Sequence, residues 1–302
     1  MRVIYTGSNR EEWLRLRGEG LGASDAPIIM GLSKFCSPMM LYAKRLGIVE
    51  QGPPTGPMNR GRDCEVIIAD KLQHDNDFME AYPGALVFPD QRLVGSDEFE
   101  FMLATQDAVI SYSGGKMLSE FKCPNYPYES GMMQEGVPDD IYAQCQHQMK
   151  VAETDKVLLA VLPALTWNIY WVIINRNDDF IETRLMPALK EFWQYIKDLV
   201  SPEVIGMKDE TKAANALHKD STGEVVSLHI DFLETVESWD QIDEDIKRLE
   251  KELKRLKGTL RMAIGEGIGG ILPNGRYISN KPNSKGQRKL TRQKEAVIVS
   301  MK

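Results

Sequence analysis

Cysteine is scarce in these 302 residues, and its four copies are scattered at Cys36, Cys64, Cys123 and Cys145. No C-x-x-C pair occurs, so neither a zinc ribbon nor iron–sulfur ligation has supporting spacing, and the thiols read as small buried hydrophobes of a reducing compartment. Long apolar runs are also missing. Nothing approaches the roughly 20 residues of a membrane span, and the opening MRVIYTGSNREEW lacks the apolar stretch of a secretory signal. A cytoplasmic location with no membrane partner is expected. Net positive charge is absent as well. At −7 the chain is a poor candidate for non-specific nucleic-acid binding over its whole surface, although a local basic groove is still open to it. What remains is ordinary globular composition, 42% hydrophobic and 27% charged, enough for one large domain with an appendage or for two domains.

The richest stretch is Asp107 to Lys122, read as strand, turn, strand. Phe101 to Ile110 (FMLATQDAVI) is mostly apolar and carries Asp107 near its end. Ser111 to Gly115 (SYSGG) is a turn signal. Met117, Ser119, Phe121 and Cys123 then alternate with Leu118, Glu120 and Lys122, so a strand points Glu120 and Lys122 to one side. A hairpin return brings Asp107 beside them. Two carboxylates and an ammonium on one sheet face are costly to desolvate without a compensating ion, and a divalent metal on Asp107 and Glu120 supplies one. Lys122 is then placed to orient or deprotonate a water, or to stabilise developing negative charge. A surface hairpin with a Glu120–Lys122 ion pair fits the same pattern.

Elsewhere the chain reads as capped helices and short strands. Ser8 or Asn9 caps a helix to Leu16, followed by Arg15, Arg17 and the glycine-rich run to Ser24-Asp25, which caps a short helix over 26–30. Helices are also expected from Ser37-Pro38 to Gly47 and from Met58 or Asn59 to Gln73. In the second of these, Glu65 shares a face with Ile68, Ala69 and Leu72. Phe78 to Arg92 is read as strand and turn. A loop over 124–138 carries Tyr126 and Tyr128, candidates for base stacking or plain packing. Asp139 or Asp140 caps a helix to Ala152, with Ile141, Cys145 and Met149 inward and Gln144, His147 and Gln148 on another face. His147 is read as a helix-surface residue rather than a general base. Strands over 156–162 and 167–174 and a helix over 179–199 follow.

Five words in one order now point to a family: WLRLRGEGLGAS (13–24), GRDCE (61–65), ATQD (104–107), EFKCP (120–124) and YAQCQHQM (142–149). With its Asp followed by Glu-x-Lys, the chain resembles the YqaJ-type viral recombinase family, which includes lambda exonuclease, within the PD-(D/E)XK nuclease superfamily. The resemblance spans the first two-thirds of the chain. One position departs: Gln106 stands where the family has Pro before its first Asp, which bears on loop geometry more than on metal ligation.

The resemblance implies an α/β, restriction-endonuclease-like core over 1–205, a central mixed sheet flanked by helices. It implies a Mg²⁺-dependent nuclease, with Mn²⁺ able to substitute, that degrades the 5′ strand of linear duplex DNA from its end and leaves a 3′ overhang. Its catalytic residues are Glu65, Asp107, Glu120, Lys122 and Gln144. The metal set is Asp107, Glu120, Glu65 and Phe121, and Arg17 and Ser24 grip a DNA phosphate. The implied partners are duplex DNA ends, a single-strand annealing recombinase and sister subunits in a homo-oligomer, plausibly a trimeric ring. A phage-type endonuclease and a weakly active end-binding scaffold are the alternatives. Residues 206–235 read as a linker, with a short strand over 225–232. Over 236–302 the chain reads as a helical, coiled-coil appendage. Ile242, Ile246, Leu249, Leu253, Leu256 and Leu260 form a heptad seam there, followed by a small hairpin and a basic tail.

Overall fold

The alternating stretch forms a strand over Gly115–Lys122 whose last six residues are largely buried. It pairs antiparallel with Ala108–Tyr112 through a two-residue turn at Ser113-Gly114. The sequence expectation of a single strand from Phe101 is corrected. Leu103–Ala104 belongs to a different sheet, and Asp107 sits in the connection between the two.

The computed structural model describes all residues except Ser8, Gln91, 126–135, Lys285 and 297–302, and only the backbone of 293–296. Tyr126 and Tyr128 therefore lie outside the described residues. The chain divides into two compact units, Met1–Ser221 and Thr222–Lys302. No described helix is long and apolar enough to cross a membrane.

The strands of the first unit are β1 (Arg2–Tyr5), β2 (Leu86–Pro89), β3 (Leu93–Gly95), β4 (Leu103–Ala104), β5 (Ala108–Tyr112), β6 (Gly115–Lys122), β7 (Lys156–Val161) and β8 (Tyr170–Asn175). Its helices are α1 (Arg10–Gly18), α2 (Ala26–Ile29), α3 (Pro38–Arg45), α4 (Gly56–Gln73), α5 (Asn76–Ala81), α6 (Asp139–Ala152), α7 (Met186–Asp198) and α8 (Glu210–Leu217). The fold is α/β. A five-stranded mixed sheet runs β2-β5-β6-β7-β8, parallel only between β6 and β7, and a smaller sheet runs β1-β3-β4.

The parallel pair is joined through α6, the crossover that parallel strands require. Alternation on β6 divides the core. Met117 and Phe121 pack with Cys64, Ile68, Ala69 and Leu72 of α4. Leu118 packs with Ile141, Cys145 and Met149 of α6. Glu120 and Lys122 share the Leu118 side, so the sheet presents them to α6.

Several other expectations change. Residues 78–81, read as strand and turn, belong to helix α5, capped by Asp75, which accepts from the Phe78 N–H at 2.8 Å. The N-cap of α6 is Pro138, with Asp139 and Asp140 inside the first turn. Pro187 is absorbed just after a π-turn at Ile181–Leu185, where the missing N–H costs least. The first unit continues beyond 205: α8 places Ala213 against Met39, Met40, Ala43 and Val49.

In the second unit, 225–229 form no strand. Helix α9 (Phe232–Ile264) is followed by β9 (Gly269–Ile271), β10 (Arg276–Ser279) and β11 (Thr291–Ala296), which make a three-stranded antiparallel sheet. The hairpin expected around Asn274-Gly275 is the β9–β10 turn.

Candidate active site

Glu120, only 4% exposed, is the hub of a polar cluster between β6 and α6. Its Oε1 accepts from Lys122 Nζ in a short ion pair and from Gln144 Nε2 at 2.7 Å. Its Oε2 accepts from Gln148 Nε2 at 2.6 Å. Lys122 Nζ also donates to Gln144 Oε1 at 3.1 Å, and Gln148 reaches the Thr105 carbonyl at 3.1 Å. Both Glu120 oxygens are held because β6 fixes two side chains at i and i+2 while α6 offers two at i and i+4. Gln148 is the participant that the sequence reading aligned with Gln144 but gave no role. The four-residue spacing was its signal.

Asp107 enters from the connection before β5. Its Oδ2 accepts from the Phe121 N–H at 2.7 Å, and its own N–H is given to the Ser119 carbonyl at 3.1 Å. Burial, then repulsion from Glu120, hold its carboxyl well above the usual range, against the pull of Lys122. Lys122 is displaced upward too. Burial works to lower it, but the Glu120 and Asp107 carboxylates outweigh burial and keep the ammonium charged.

Gln106, in the place of a proline, points away from this cluster. It is buried and donates to Asp90 Oδ2 at 2.8 Å, and Arg92 clamps the same carboxylate with two nitrogens. A side-chain tie thus holds the loop that carries Asp107.

Glu65 and Arg62 on α4 and Asp107 line one cleft of about 260 Å³, together with Asn9, Arg10 and Trp13. The Arg10 guanidinium lies 4.3 Å from the Trp13 ring centre. Sequence reasoning missed Arg10, Trp13 and Arg62 as a group, because they come together only when α1 packs beside α4. A second, smaller cavity joins Arg17 and Ser24 to Thr105 and Gln144. Arg17 Nη2 donates to Ser24 Oγ at 2.6 Å, and an ideal Cβ on Gly22 would stand 3.0 Å from that guanidinium. Asp25 caps nothing downstream. It accepts from the Gly22 N–H at 2.7 Å and pairs closely with Arg45.

The donor set can be matched to a hard cation. Among the described residues no three His, Cys, Asp or Glu side chains converge closely enough to hold an ion by themselves. Asp107 and Glu120 repel one another in a buried site, and the Phe121 side chain is in the core, leaving only its carbonyl as a donor. Two carboxylates and a carbonyl, with room in the cleft for water, suit Mg²⁺, which keeps several waters and takes one or two carboxylates plus phosphate oxygens. Glu65 faces the same cleft and can act through water.

His147 is corrected from a surface residue to a core one. It is fully buried, and its Nε2–H donates to the Leu103 carbonyl at 3.0 Å while Nδ1 has no partner among the described residues. Burial drives its pKa down to about 4, against the pull of that hydrogen bond. The folded protein therefore resists a proton that the unfolded chain accepts near its ordinary value of about 6.5. Stability from this group is complete above that value and is lost as pH falls toward 4. Between pH 7 and pH 5 the loss is about 2 kcal/mol. Urea unfolding of His147→Gln, which keeps a donor for Leu103 but no titrating ring, should be flatter over that range.

Cys64 and Cys123, read as unrelated thiols, are neighbours with Sγ atoms 3.1 Å apart, and burial pushes Cys64 up to about 12.

With this geometry in place, residues 12–155 match the model of the YqaJ-like viral recombinase domain. The matched segment is just under half of the chain. It contains Arg17, Ser24, Glu65, Asp107, Glu120, Lys122 and Gln144. The "Uncharacterized protein YqaJ" of Bacillus subtilis (strain 168) is 26% identical over 273 residues, 88% of this chain and 82% of that protein. Among solved structures, an alkaline exonuclease (LHK-Exo) from Laribacter hongkongensis is 21% identical with a TM-score of 0.48, over 63% of this chain and 95% of that one. A phage related exonuclease from Haemophilus somnus 129PT is 15% identical with a TM-score of 0.45, over 60% and 96%.

Proposed function

We propose that the YqaJ-like domain is a metal-dependent deoxyribonuclease that degrades the 5′ strand of linear duplex DNA from its end and leaves a 3′ overhang for recombination. The observation that carries this reading is the cluster of Asp107, Glu120, Lys122 and Gln144, centred on the buried Glu120, with Asp107 lining a cleft that also holds Arg10 and Arg62. A carboxylate pair with a charged lysine is suited to phosphodiester hydrolysis and has little use in a purely structural sheet, where its burial is a cost.

Asp107, Glu120 and the Phe121 carbonyl are the residues to hold Mg²⁺ or Mn²⁺, with Glu65 behind water. When bound, the metal would supply Lewis acidity to the phosphate and to an attacking water. Lys122, kept charged by its neighbours, donates hydrogen bonds to the water or to a phosphate oxygen as negative charge develops, and is not the base. Gln144 fixes Lys122 and offers its amide to the same oxygens. Arg17 and Ser24, joined to Gln144 by the small cavity, hold the terminal phosphate so that attack is in line. The reading extends to a single-strand annealing protein that loads on the overhang, and to a ring-shaped homo-oligomer, a trimer, that stays on the DNA.

The deciding experiment uses linear duplex phosphorylated at one 5′ end only, with Mg²⁺ or EDTA. Progressive loss of the phosphorylated strand in Mg²⁺ alone is expected. Cutting of a covalently closed circle would favour the endonuclease alternative, and binding without release in either condition would leave a scaffold. Arg17→Ala should lower kcat/KM on 5′-phosphate ends by about ten- to hundredfold, the worth of one charge-assisted contact. An equal loss on 5′-hydroxyl ends would remove the phosphate assignment.

A further inference from the structure

Helix α9 is 33 residues long and buries none of them. Exposed along one stripe are Phe232, Trp239, Ile242, Ile246, Leu249, Leu253 and Leu256. The stripe exceeds the seam read from sequence. Steps of three and four continue backward from Ile242 to Trp239, Thr235 and Phe232, and forward from Leu260 to Ala263. Four heptads with an apolar a/d seam call for a partner helix, because an isolated helix gains nothing by exposing such a stripe.

Charge identifies the partner. From Phe232 to Asp245 the helix carries six acids (Glu234, Glu237, Asp240, Asp243, Glu244 and Asp245) and no base. From Ile246 to Ile264 it carries seven bases against two acids, Glu250 and Glu252. The helix dipole favours this polarity only in the first and last turns, so it does not account for segregation along the whole length. A parallel copy would set acid on acid and base on base. An antiparallel copy sets each acidic half against a basic one.

We propose that α9 is a self-association surface, pairing antiparallel with α9 of a second copy of this chain. Size complementarity supports one register. With the two-fold axis at Lys251, Trp239 lies opposite Ala263, Ile242 opposite Leu260, Ile246 opposite Leu256 and Leu249 opposite Leu253. The largest side chain of the stripe thus meets the smallest. Asp243 lies opposite Lys257 at both ends of the pair. Only at the axis do like charges meet, Glu250 and Glu252 each facing its own copy on the solvent-screened rim. The paired length, Trp239 to Ala263, is ~37 Å at the α-helical rise.

Sedimentation equilibrium of the full chain tests the surface. Leu249→Glu/Leu253→Glu should have a lower mass than wild type, half of it where α9 joins just two copies of whatever assembly the first unit forms by itself, and equal masses would overturn the proposal. Orientation is read from charge exchange. Lys257→Asp should weaken association by about five- to tenfold, and adding Asp243→Lys in the same chain should restore it, with helix content followed by circular dichroism. In a parallel pair position 257 faces Glu252 instead, so failure of the second substitution to restore association would overturn the antiparallel arrangement. Neither measurement depends on nuclease activity.

Discussion

Replacing Lys122 with alanine is expected to slow strand hydrolysis by about two to four orders of magnitude, the usual worth of a positioned proton-handling or charge-stabilising side chain. DNA binding should be nearly unchanged, because the ammonium faces Glu120 and Gln144 inside the cluster while the cleft itself is lined by Arg10, Trp13 and Arg62. Removing the cation also leaves Asp107 and Glu120 unbalanced, so lost folding has to be separated from lost chemistry. Lys122→Met, with a stem of similar length, and thermal unfolding of both variants in Mg²⁺ make that separation. Turnover by either folded variant at the wild-type rate would take Lys122 out of the mechanism.

Asp107→Asn should abolish hydrolysis and, in EDTA, raise stability. The carboxyl is held well above its ordinary pKa by burial and by Glu120, so the folded state binds its proton more tightly than the unfolded state does. Its contribution is present at low pH and is lost as pH rises through the unfolded value of about 3.8 toward the folded one. At neutral pH the ionised group opposes folding. Asparagine keeps an oxygen for the Phe121 N–H and removes that opposition, and each kcal/mol regained should raise Tm by about 2–4 °C. Mg²⁺ should raise the Tm of wild type through linkage and leave that of the variant nearly unmoved. A variant that melts lower than wild type in EDTA, or that Mg²⁺ still protects fully, would separate Asp107 from the metal site.

The parts of this site legible in the sequence are those set by short periods. Alternation along 117–123 placed Glu120 and Lys122 together, and the i, i+4 spacing of Gln144 and Gln148 placed them on one helix face. His147 reads as a surface residue because the 3.6-residue pattern of α6 marks only its sheet-facing side. Its opposite side is buried too, with Val151 in the cluster around Ala26 and Leu185 and His147 on Leu103. Polar residues in that second interface look like solvent-facing ones until the neighbour is known. The same limit hid Gln106, whose partner Asp90 is 16 residues away, beyond β3 and β4. At 225–232 alternation was present and a strand was not, since no neighbouring strand pairs with it there. Helix α5 has six residues, too few for any period to register.

The segment after 205 has a consequence for anyone who would cut this chain into working pieces. Its polar composition suggests a dispensable tether, yet Glu210 gathers three backbone N–H groups, from Ile205, Gly206 and Met207. Asp209 accepts from the Ser37 N–H at 3.0 Å, and Ala213 closes over two methionines of α3. A fragment ending at 205 would present that methionine surface to water and to other copies of itself. One ending at Ser221 keeps it covered, so the natural seam for excision lies some sixteen residues later than composition suggests.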